Sequence, residues 1–170
     1  MGSEIVDDSF ELIYLISALS NLETVMARNP AADHVLDDAQ DRLPTRLRKR
    51  LIAAAGNLRN FVFENWPVDA HEDDRSQAQD RFVGWLISDG KETQLDLRGA
   101  CNKLLHAQSI EYAGTTEIGT DKIMDRFNVL DCVVVTGAIK SGKAWTAVVN
   151  IPEFATGAYI AAQIAAESSP

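Results

Sequence analysis

The sequence predicts an α+β protein, mainly α: a helical bundle, then an antiparallel β-hairpin, then a C-terminal helix. Three observations carry that prediction. Up to about residue 108, apolar residues recur at spacings of three and four, the period of helices buried on one face. From Val129 onward β-branched residues dominate, in two runs split by Lys140-Ser141-Gly142-Lys143. The tail, opened by Pro152, returns to a helical composition.

Taken in order, Asp8 and Glu11 have the form of a capping box and predict a helix from about Ser9 to Arg28. Leu12, Leu15, Leu19, Leu22 and Met26 form its stripe, which suits a core or pairing with a second copy of the chain. Pro30 ends it. A short helix is expected from about Ala32 to Arg42, broken at Pro44, with Thr45 capping a longer one from Arg46 to Asn65. The acidic stretch Pro67 to Asp80 reads as a loop or linker. Gln77 to Ser88 reads as a helix, although Phe82-Val83-Gly84-Trp85-Leu86-Ile87 also reads as a strand. Asp89-Gly90 is a turn, and Thr93 caps a helix from Gln94 to Gln108. Ser109 to Tyr112 is a short strand, Gly114 to Thr120 a loop, and Asp121 to Phe127 a turn or two of helix. Val129 to Ile139 and Trp145 to Ile151 form the hairpin. The whole reads as one domain over residues 1–170, helical to about 108 and hairpin plus final helix from 109.

Bulk properties narrow the function. Net charge is −9 and the pI about 4.7, so the average field repels nucleic acid and anionic membranes. Cys101 and Cys132 form no C-x-x-C and no metal spacing; buried free thiols in a reducing compartment are expected. The acidic start lacks the positive n-region of a secretory leader, and no apolar stretch is long enough to span a bilayer. The expectation is a soluble cytoplasmic protein without membrane contact, metal or cofactor.

Gly137-Ala-Ile-Lys-Ser-Gly-Lys143 matches the first seven positions of a phosphate-binding Walker A loop. The next residue should be Ser or Thr to hold magnesium, and it is Ala144. A strand-like run follows instead of the helix whose amides would hold phosphate. The segment therefore reads as the turn of the hairpin.

The strongest polar pattern is Arg98–Asn102–His106. Successive members of an i, i+4, i+8 set advance by about 40°, so the three form one slowly winding edge of a helix. Histidine can move a proton near neutral pH, arginine can hold a phosphate by paired hydrogen bonds, and asparagine can orient either. On these residues the helix resembles the HEPN family of small helical-bundle proteins, many of which cut RNA without metal. The resemblance implies catalysis by Arg98, Asn102 and His106 at a dimer interface. Seven residues separate Arg98 from His106 where the family usually has four to six, and Gly99 takes the place of a polar residue. The structural alternative pairs Arg98 with Glu92 or Asp96, and has Asn102 and His106 satisfy backbone groups at the hairpin.

Arg46, Lys49 and Arg50 crowd the expected start of a helix, where positive charge opposes the macrodipole. Either Asp37, Asp38 and Asp41 offset them, or they form a contact for a polyanion or acidic partner. His71-Glu72-Asp73-Asp74 has metal-ligand residue types but reads as a solvated loop, and His34 with Asp38 lacks further ligands. Two functions follow. With no strong catalytic motif, the first is a non-catalytic interaction or regulatory module, self-associating or binding a protein. The second is a metal-independent endoribonuclease, the only reading in which RNA is a partner.

Overall fold

The computed structural model describes residues 2–28, 33–64, 66, 72–113 and 128–167. Its elements are helices α1 (Gly2–Arg28), α2 (Asp33–Asn57) and α3 (Glu72–Ala78), strands β1 (Phe82–Ser88) and β2 (Lys91–Asp96), helix α4 (Leu97–Leu105), strand β3 (Ser109–Tyr112), strands β4 (Cys132–Ala138) and β5 (Ala144–Asn150), and helix α5 (Ile151–Glu167). The mainly helical α+β class holds. The β part, however, is a five-stranded antiparallel sheet of order β2-β1-β5-β4-β3 rather than one hairpin.

The extra hairpin, β1–β2, lies where a helix was expected. Asp89 and Gly90 both have positive φ, 51° and 71°, the geometry of a two-residue turn that matches strand twist. Gly84 sits at a register shift in β1, and a Cβ there would run into the Val148 carbonyl oxygen. Gly84 therefore marks close strand approach, not a weak helix. Helix α4 then starts at Leu97, capped by Asp96, whose carboxylate accepts from the Gly99 amide at 2.6 Å, and not by Thr93.

Further readings differ: within the stretch Pro67 to Asp80, expected as a loop or linker, Glu72–Ala78 forms helix α3. Pro44 lies inside α2, which runs on and widens into a π-helical segment at Leu58–Phe63. An interior proline loses one backbone hydrogen bond and crowds the carbonyl four residues back, a local cost that packing can offset. Half-buried Leu43 and buried Leu47, Leu51, Ala54 and Leu58 carry one apolar stripe across it. Asp8 and Glu11 do not cap α1, which begins six residues earlier at Gly2. They face α2, where Arg50 meets Asp8 at 3.0 Å and Glu11 at 2.6 Å, and Arg46 meets Glu11 at 2.9 Å.

The last hairpin forms as expected but is shorter: Val129–Asp131 is a 3-10 turn ahead of β4, and Ile151 belongs to α5 rather than to β5. Ile139 and Lys143 close its turn by a backbone bond of 3.0 Å, and Gly142 takes φ 82°. The apparent phosphate loop is this turn. Trp145 lies across Gly137 on the paired strand, where a Cβ would collide with the indole. Asn150 caps α5, accepting from the Glu153 amide at 3.0 Å, with Pro152 in the first turn.

Helices α4 and α5 lie against β1 and β5, α2 reaches β3 and α4, and α1 lies across α2 and α5. One apolar core draws on all of these, including Leu12, Leu15, Ile16, Leu51, Leu58, Leu97, Leu104, Val135 and Phe154. Of the α1 stripe, which suited a core or self-pairing, Leu12, Leu15, Leu19 and Leu22 are thus used by the core; the Met26 side chain lies outside the described residues. Trp85, Cys132, Val134 and Val148 form a smaller cluster on the other sheet face. No helix of the described residues is long and apolar enough to cross a membrane.

Candidate functional site

Two surfaces carry features that packing does not consume. The first is the outer edge of α4. Leu97, Ala100, Cys101 and Leu104 enter the core, which turns Arg98, Asn102 and His106 to solvent. Among the described residues none of the three side chains makes a hydrogen bond or ion pair. Asp96, one of the two acids expected to hold Arg98, instead caps the helix. The Arg98 amide bonds the Gln79 carbonyl at 3.3 Å and the His106 amide bonds the Asn102 carbonyl at 3.2 Å, so the backbone under the edge is fixed. Arg98 and His106 are eight residues apart on the helix, about 12 Å of rise.

Beside this edge, Lys103 places its ammonium 4.4 Å from the centroid of the Trp145 ring. Ser88 pairs with both Lys91 and Trp145, so Lys91, Lys103 and the turn residues Lys140 and Lys143 gather at one end of the sheet. Asp89 offsets Lys143 at 3.0 Å. Sequence reasoning did not see this grouping, because sheet pairing creates it.

The Arg46–Lys49–Arg50 stretch lies mid-helix, so no helix N-terminus opposes it. Arg46 and Arg50 are held by Glu11 and Asp8 of α1; of Asp37, Asp38 and Asp41, only Asp38 makes an ion pair among the described residues, with Arg42 at 2.7 Å. Lys49 is exposed. Asp8 is 5% exposed, and burial pushes its carboxyl above the ordinary range even though Arg50 and Asn57 favour its charge.

Burial also raises the thiols: Cys132 to about 12, and Cys101 further. His71 and the His34 side chain lie outside the described residues. Glu72, Asp73 and Asp74 follow one another on α3 and point in different directions. Among the described residues no group of three or more His, Cys, Asp or Glu is placed to hold a metal ion.

The second surface is apolar. Phe10 is 65% exposed, Tyr14 67%, Ile13 38% and Tyr159 39%. Ser9, Phe10, Ile13, Ala155, Thr156 and Tyr159 line a groove of about 190 Å³ between α1 and α5. The sequence hides this surface because α1 is apolar on nearly every side, so its pattern does not say which side remains in water.

Neither protein-family models, nor curated proteins, nor solved structures give a match to this chain.

Proposed function

We propose that this chain is a non-catalytic interaction module that docks a protein on the exposed face of α1 and α5. The observation that carries this is the cluster of Phe10, Ile13, Tyr14 and Tyr159 left in water around one groove. Single exposed apolar residues are ordinary, whereas contiguous ones mark contact surfaces. Tyrosine and phenylalanine are also enriched in the buried centres of interfaces. To test it, Tyr14 and, separately, His106 are replaced by photoreactive benzoylphenylalanine in cells. Protein adducts at position 14 and none at 106 are expected. The reading fails if position 14 yields no adduct.

One observation favours a second reading, metal-independent RNA cleavage of the HEPN type. It is the exposed α4 edge, whose Arg98, Asn102 and His106 have no side-chain partner among the described residues and lie beside Lys103. The imidazole would transfer protons and the guanidinium would hold phosphate charge. This reading expects RNA cleavage that survives EDTA and leaves a cyclic phosphate, lost in His106→Ala and Arg98→Ala with folding intact. Intact RNA, or normal cleavage by His106→Ala, rules it out.

A further inference from the structure

The exposed side of α1 is itself a seam. Asp7, Phe10, Tyr14, Ser17, Asn21, Thr24 and Arg28 are all exposed and recur at alternating spacings of three and four. That is the period with which one helix follows another in a coiled coil. Every position between its two ends is uncharged, in a chain of net charge −9. The ends are charged and opposite: Asp7 stands at the start, and Arg28, the one cation in α1, at the finish. Among the described residues neither Asp7 nor Arg28 has an ion-pair partner.

We propose that the occupant of this face is a second copy of the chain, packed α1 against α1 in antiparallel order about a two-fold axis near Ser17. The inference rests on the docking reading above and names its partner. A parallel pair would set Asp7 against Asp7 and Arg28 against Arg28. An antiparallel pair centred between Ser17 and Ala18 brings Asp7 of each copy to Arg28 of the other, twice by symmetry. Ser17, small and uncharged, allows close approach at the crossing. Phe10 and Tyr14, with Ile13 and Tyr159 beside them, form an apolar block on each side of the axis. Asn21 and Thr24 put uncharged groups opposite that block, so no carboxylate of the seam is buried against an aromatic ring. The missing charge at the centre lets two acidic chains meet there, since at physiological salt the remaining repulsion is screened over about 8 Å. The α4 edge is not part of this seam, so the dimer does not bring two copies of Arg98 and His106 together as the HEPN resemblance implies.

Sedimentation velocity on the purified full chain tests this. The wild type is expected to shift, with rising concentration, from 18.6 kDa to twice that mass. Tyr14→Asp, on an exposed position, should keep its circular dichroism and weaken the dimer by about tenfold or more. Asp7→Arg and Arg28→Asp should each weaken it, and the double variant should recover most of the loss. A chain that stays monomeric at about 0.1 mM overturns the inference. So does a dimer insensitive to Tyr14→Asp, or a double swap no better than the singles. If the chain is monomeric while position 14 still crosslinks to a different protein, the second copy is wrong and the docking face stands. If both experiments are negative, both fall.

Discussion

Phe10 of α1 and Tyr159 of α5 meet edge to face, ring centroids 6.2 Å apart and planes inclined at 66°. The contact joins the two helices while leaving Phe10 largely in water and more than a third of Tyr159 exposed. Folding alone gains little from Phe10, because most of its apolar area stays hydrated.

A separation of stability from surface follows. At concentrations low enough to keep the chain monomeric, Tyr14→Ser should change unfolding free energy by no more than about 0.5 kcal/mol. Phe10→Ser, which loses the ring pair, should cost about 1 kcal/mol. Leu15→Ala, adjacent in sequence but fully buried, should cost about 2–5 kcal/mol. Urea unfolding of the three variants checks the order.

Glycine at 84 and 137 is required by close approach. Gly84→Ala drives a methyl into the Val148 backbone oxygen, which cannot move without parting β1 from β5. Gly137→Ala meets the Trp145 ring, a side chain with some room to shift. Both should destabilise, Gly137→Ala by about 1–3 kcal/mol and Gly84→Ala by more. Thermal unfolding of both variants reads the ranking.

Asp8 gives a pH dependence of defined sign. Burial, the largest influence, raises its carboxyl above the ordinary 3.8 in the folded chain, so the folded state binds the proton more tightly than the unfolded state does. The stability this contributes is fully present below the unfolded value and is lost as pH rises through the raised folded value. Urea unfolding of wild type and Asp8→Asn across that window should show the wild type losing stability relative to the variant as pH rises. A relative gain would mean that the Arg50 ion pair outweighs burial.

Cys101 and Cys132 should be inert while the chain is folded. Both are buried and their thiols are pushed far above neutrality, so almost no thiolate is present. A chromogenic disulfide reagent at neutral pH should label neither in the native protein and both in guanidinium.

The sequence revealed those parts of the fold where local chemistry and tertiary packing agree. The second hairpin shows in its β-branched runs and glycine turn, and α5 in Asn150 followed by Pro152. Where the two disagree, local rules mislead. Asp8 and Glu11 fit a capping box, yet their carboxylates bind Arg50 and Arg46 across a helix interface no local rule can see. Pro44 reads as a break, yet the apolar stripe on both sides of it is continuous. The Asp89-Gly90 turn and the strand reading of Phe82 to Ile87 were the available signals for β1–β2; β2 itself is exposed at its first four residues and shows no apolar alternation. Arg98, Asn102 and His106 were legible as a helix edge, but their exposure depends on what α2 and the sheet cover. The α1–α5 face was not legible, because apolarity on all sides of α1 conceals which side the core leaves uncovered.

Amide hydrogen exchange at low and high protein concentration tests most directly whether a second copy occupies the docking face. Exchange should slow with concentration in peptides spanning α1 and α5 and stay constant across Leu97–His106. Exchange independent of concentration in α1, or slowing confined to the α4 edge, would contradict the account.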